Sequence, residues 1–245
     1  MKGLPRLDDV GRRCTRLGHR VAAAWSRVVS VPWLLCSAFL VLLLLRRGQQ
    51  LLQPQVWDEE GTELLPGFIA EGPGYILAPG KHYYWIAPKI ISWLSLSVSF
   101  AQYPLVSTLV AWTFTLVVLM VLARHPSLLG GGALLGFAVL VIPTNAEVFG
   151  IPLYTLWWAP LLLMVPLFWD GRPGAVAARA ACLVLGGLTA PLIVATWPLF
   201  VARAWLRRGR WEEWGLAGIA TACGGLQLRA ALDRGAGGPA LPVLD

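Results

Sequence analysis

The densest group of side chains able to do chemistry is Trp57-Asp58-Glu59-Glu60-Gly61, three carboxylates in a row behind a tryptophan. Adjacent like charges raise one another's pKa unless water or a cation compensates, so such a run either faces solvent or serves a site. In an extended segment Asp58 and Glu60 point the same way, a pair suited to general-base work or to holding Mg or Mn through hard oxygen ligands. In a helix Glu59 and Glu63 share a face instead. The plain alternative is a solvated acidic loop. Lys81, His82, Tyr83 and Tyr84 form a second group, in which a lysine and an imidazole suit a phosphate and two rings suit a sugar face. Its alternative is an interfacial aromatic belt with a snorkelling lysine. The third group is the polar turn Pro143 to Gly150, where Asn145 and Glu147 either cap the turn or contribute to a site.

The elements that carry these groups are apolar. The 245-residue chain is 57% hydrophobic and 13% charged with a mean hydropathy of +0.64, well above the ~45 to 50% apolar content of soluble domains. Continuous leucine-rich runs without two-residue alternation disfavour a transmembrane barrel. The expected fold is all-α, a polytopic transmembrane bundle of about six to seven spans with a long outer first loop. Residues 1–28 form a basic cytoplasmic segment, and 29–223 form the membrane domain, with the outer loop at 46–100. Within it the expected spans are Val31 to Leu45, Ala101 to Ala123, Leu128 to Ile142, Ile151 to Trp169, and Ala175 to Trp205 broken at Thr189-Ala190-Pro191. Trp85 to Phe100, interrupted by Pro88 and Lys89, reads as an interfacial or re-entrant helix.

This threading keeps fourteen Lys and Arg on the N-terminal, cytoplasmic side and only Arg46, Arg47, Lys81 and Lys89 outside, as the positive-inside rule requires. It locates the chain in the plasma membrane, with all three groups of candidate residues on the outer face. The pI near 9.7 therefore reflects topology and lipid contact, with no nucleic acid as a partner. Cys14, Cys36, Cys182 and Cys223 have no paired spacing, and neither a disulfide framework nor a zinc site follows. Gly130, Gly131, Gly132 and Gly136 lack the lysine and hydroxyl of a phosphate loop and read as close helix packing. Residues 224–245 interrupt a seventh apolar stretch and read as an irregular tail, the mark of a truncated or frame-shifted chain.

The arrangement resembles the GT-C superfamily of polytopic glycosyltransferases, through Trp57 to Gly61, the Gly80 to Pro88 region, Pro143 to Gly150 and Leu188 to Pro198. The resemblance covers roughly residues 30–210. It implies sugar transfer from a polyprenyl-phosphate-linked donor on the extracytoplasmic face, with Asp58 or Glu59 as base or metal ligand, and membrane lipid as the surroundings. Such enzymes have more spans and often a C-terminal domain, so an inactive fragment is within this expectation. A transporter or flippase component and a noncatalytic membrane scaffold are the competing readings.

Overall fold

The computed structural model describes residues 30–80, 83–125, 131–144, 148–170 and 175–235, and the basic segment 1–28 lies outside them. Among the described residues the fold is all-helical, as composition requires, with no strand. The first helix, α1 (Pro32–Arg47), opens with proline where an amide would be unsatisfied anyway and closes with Arg46 and Arg47 against the negative helix end. Every fourth residue, Leu35, Phe39 and Leu43, is fully buried, while Trp33, Val41 and Leu45 stay exposed.

The expected outer loop is itself largely helical. A π-helical turn, Glu60–Leu64, runs into α2 (Leu65–Glu71), a 3-10 turn (Gly72–Leu77) follows, and α3 is Ile86–Val98. Next, α4 (Tyr103–Arg124) is 22 residues long, about 33 Å at 1.5 Å per residue and enough for a ~30 Å hydrocarbon core. It is the one helix among the described residues that is long and apolar enough to cross a membrane. Its polar side chains turn inward onto its own carbonyls, Thr108 to Pro104 and Thr115 to Ala111, each at 2.8 Å.

Shorter elements complete the fold: α5 (Gly132–Val141), a 3-10 turn (Leu153–Trp157), α6 (Leu161–Phe168), α7 (Val176–Gly187), α8 (Leu192–Leu206) and α9 (Trp211–Gly235). Two expectations need correction here. Ile151 to Trp169 is helical in two parts, since Pro160 follows the 3-10 turn Leu153–Trp157 and caps a separate α-helix, Leu161–Phe168. Residues 224–235, expected to be irregular, are helical: Ala220, Cys223, Gln227 and Ala230 recur every three or four residues and are all buried, a single inward stripe running through Gly224 and Gly225. The break between α7 and α8 falls at residues 188–191, where Pro191 placed it.

Two apolar cores share α6. Leu162 and Val165 pack with α1, α4 and α5, while Leu163 and Leu167 pack with α7, α8 and α9. This double burial is why α6 reads as an unbroken apolar run. Gly136 serves close packing as expected, since a Cβ there would come within 2.6 Å of the Phe39 ring.

The helix ends separate two kinds of chemistry. At one end Glu213, 2% exposed, joins Arg179 and Arg203 at 2.8 Å each. Arg179 also donates to the Pro166 carbonyl at 3.1 Å and Arg203 to those of Leu167 and Trp169, so the trio closes the open end of α6. Asp170, Arg207 and Arg210 lie beyond it. The acidic motif lies at the opposite end.

Candidate functional site

At that end the chain leaving α1 is tied to the turn after α5. Arg46 donates to the carbonyls of Leu140 and Ile142 and to Thr144 Oγ1, and its guanidinium lies 4.7 Å from the centre of the Phe149 ring. Arg47 donates to the Thr144 carbonyl at 3.5 Å. These two arginines, which in the sequence mark only the end of a span, hold the approach to Asn145 and Glu147. Those two residues themselves lie outside the described residues. Gly150, at φ 90°, turns the chain where a Cβ would strike Gln50 Oε1 and Trp112 Nε1.

The acidic motif is helical, which changes the expected pairing. Residues two apart on a helix project to roughly opposite sides: Asp58 is exposed, Glu59 half-buried and Glu60 1% exposed. Asp58 and Glu60 therefore do not form the two-carboxylate metal site that an extended strand would make. No group of three or more metal-ligating side chains occurs among the described residues.

Glu60 faces inward in register with Leu64 and Phe68, both buried at four-residue spacing. Its Oε1 accepts from the Leu153 amide at 3.2 Å, the first residue of the 3-10 turn. The Tyr103 hydroxyl, 3.0 Å from Ser92 Oγ, is a second partner of Glu60. A phenol has one hydrogen to share between the two, and a protonated Glu60 completes the chain by donating to it. Burial is the main cause that pushes the Glu60 carboxyl up to about 8, so at neutral pH it is mostly a neutral hydrogen-bonding group. Glu59 differs: its Oε2 is buried but accepts no hydrogen bond among the described residues.

Around these acids lies an aromatic layer. The Trp57 ring meets Tyr154 edge-on at 6.0 Å, and Tyr83 meets Trp85 at 5.8 Å. Trp85 is buried with Leu64, Ile151 and Leu153, so it is a core residue rather than an interfacial anchor. Lys89, treated in the sequence as a topological charge, is fully buried. Its Nζ donates to the carbonyls of Tyr75 at 3.0 Å and Ala78 at 2.7 Å and lies 3.6 Å from the centre of the Tyr75 ring, pinning the 72–80 segment to α3.

Lys81 and His82 lie outside the described residues, but the chain on either side is fixed, with the Gly80 amide donating to the Tyr83 carbonyl at 2.8 Å. Tyr84 is held by Gln227, whose Oε1 accepts its amide at 2.9 Å. Gln227 Nε2 in turn donates to the Gly187 carbonyl at 3.0 Å. The amides of Ile86 and Ala87 donate to the Leu188 carbonyl and to Thr189 Oγ1 at 3.1 Å each. The acidic motif, the Tyr83-Tyr84 segment and the break before Pro191 thus meet at one end of the helices, along with the flanks of the 145–147 turn.

From this end an apolar groove of about 690 Å³ runs along α6, lined by Tyr83, Trp157, Leu161, Met164, Pro191 and Leu192 among others. The 3-10 turn links it to Glu60: the amide of Leu153 at the start of that turn donates to the carboxyl, and Trp157 at its end lines the groove. The groove was not visible in the sequence, since no spacing rule brings Tyr83, Trp157 and Pro191 together. Comparison with protein-family models, with curated proteins and with solved structures returns no match to this chain.

Proposed function

We propose that the chain is a multi-pass plasma-membrane protein of GT-C-like type that transfers a sugar from a polyprenyl-phosphate-linked donor on the outer face. The observation that carries this reading is the apolar groove opening at the acidic end, a shape and polarity suited to an isoprenoid chain whose head stops beside Tyr83. Membrane residence is supported by α4, less than half of whose apolar window is buried. It is also supported by the leucines and valines left exposed on α1, α4, α5 and α8. Aqueous surfaces of that apolarity are unstable, whereas lipid-facing ones are expected.

In this mechanism Glu59 takes the proton of the acceptor hydroxyl as its oxygen attacks the anomeric carbon. The bond from that carbon to the phosphate oxygen breaks, and the polyprenyl phosphate departs with the bonding pair. Lys81 and His82 are the cations assigned to the departing phosphate, with Asn145 and Glu147 assigned to sugar or acceptor hydroxyls and Tyr83 and Tyr84 to the sugar face. Glu60 positions the motif against the 3-10 turn and does not touch substrate, and no step runs through a metal. The buried charges of Lys89 and Arg179 are taken up by carbonyls and by Glu213, which leaves them unsuited to line a transport path and favours the enzyme over the transporter.

The test is turnover of a radiolabelled polyprenyl-phosphate hexose by the full chain in proteoliposomes. Glu59→Gln should lower release of polyprenyl phosphate by about 100-fold or more, the scale of a lost general base. Trp157→Ala should raise KM for the donor with kcat nearly unchanged. Release unaffected by either substitution would overturn the reading.

A further inference from the structure

At the end opposite the groove, the turn between α8 and α9 presents Arg207, Arg208 and Arg210 around an open depression of about 380 Å³ shared with Asp170 and Leu206. Arg207 and Arg210 both pair with Asp170, the latter at 3.0 Å. Arg208 is exposed and has no ion pair among the described residues. Three guanidiniums and one carboxylate around the depression leave a local excess of positive charge. The next acid along the chain, the half-exposed Glu212 on the first turn of α9, still leaves three guanidiniums against two carboxylates. Glu213 is buried and already shared by Arg179 and Arg203.

What surrounds the charge identifies the ligand. Trp205 and Leu206 precede the arginines and Trp211 and Trp214 follow them, and these four are 63%, 75%, 77% and 47% exposed. Exposed indoles flanking guanidiniums match the layered chemistry of a bilayer surface, with rings at headgroup depth and cations at the phosphates. A site for a soluble phosphate or a nucleic acid gains nothing from an exposed leucine between two such rings. Asp170 engages Arg207 and Arg210 through one oxygen, Oδ1, which leaves guanidinium N–H groups of both for a second acceptor.

We propose that the Arg207–Arg210 turn is a binding site for the phosphodiester headgroup of an anionic phospholipid in the leaflet opposite the groove. The proposal rests on the membrane reading above but not on glycosyl transfer. It is tested on the full chain purified in mild detergent, by the ratio of co-purified phosphatidylglycerol to phosphatidylcholine after reconstitution from equal mixtures of the two. Wild type should retain phosphatidylglycerol in excess, and Arg208→Gln, which leaves both Asp170 pairs intact, should reduce that excess about five-fold, the scale of one arginine at a charged surface. The triple change R207Q/R208Q/R210Q should abolish it.

Equal ratios in wild type and R208Q would overturn the proposal. So would displacement of the lipid by excess inorganic phosphate, which would reassign the turn to a free anion. Release of the wild-type chain from membranes by alkaline carbonate would instead remove the membrane reading itself, a failure distinct from that of the site.

Discussion

At the residue scale the acidic motif divides its work by burial. Asp58, Glu59 and Glu60 are chemically near-identical and adjacent, yet one is in water, one is half-covered with a spare oxygen, and one is sealed inside. The sealed residue makes a pH prediction. Its folded pKa of about 8 lies above the ordinary 4.5, so between these values the native state keeps a proton that the unfolded chain has released, and stability falls as pH rises through the window. Glu60→Gln should flatten that fall, measured as the difference in thermal unfolding midpoint between about pH 5 and about pH 8. An undiminished difference in the variant would place the titration elsewhere. The spacing of Glu60 with Leu64 and Phe68 was open to view in the sequence. A run of three acids hides it, because charge suggests water and an extended loop before it suggests a helical stripe. Lys89 gave no such warning: among Ile86, Ala87, Ile90 and Ile91 a lysine reads as an interruption, and its burial is explained by the Tyr75 and Ala78 carbonyls and the Tyr75 ring, which no local spacing reveals.

At the element scale, proline and charge made the legible marks. The break before Pro191 follows from refusing to leave Arg203 to Arg210 on the outer side, and the start of α1 at Pro32 and the end of α4 at Arg124 follow from ordinary terminus chemistry. The long α9 was missed because Gly224-Gly225 and the polar residues after it look like a stop, whereas its inward stripe of Ala220, Cys223, Gln227 and Ala230 carries the helix through. Gln227 there does the work of a linker, joining α9 to Tyr84 and to the end of α7. At the other end of the same helix Glu213 is shared by two guanidiniums in a nearly dry setting. Removing one member of such a set leaves the others charged and buried. Glu213→Ala should therefore cost about 3 to 5 kcal/mol of stability, read from denaturant or thermal unfolding in detergent. Replacing Arg179, Arg203 and Glu213 together by apolar residues should cost much less. A single-site loss no larger than that of the triple variant would show that the trio does not hold α6, α7, α8 and α9 together.

At the scale of the whole molecule the two ends are chemically opposed. One gathers the acidic motif, the Tyr83-Tyr84 segment, the flanks of the 145–147 turn and the mouth of the groove. The other gathers the arginines and exposed tryptophans. The sequence expects the acidic motif and Arg203 to Arg210 on opposite sides, because charge asymmetry orders loops without knowledge of packing. It could not anticipate the groove or the tie between Arg46 and the turn after α5, which depend on contacts between residues roughly a hundred positions apart. The function proposed here requires that the two ends face different compartments. The most direct measurement is side-specific labelling of single cysteines, Asp58→Cys and Arg208→Cys, each in a background with the four native cysteines replaced by serine, using a membrane-impermeant maleimide on intact cells. Asp58→Cys should label in intact cells and Arg208→Cys only after permeabilisation; labelling of both from the same side would contradict the account.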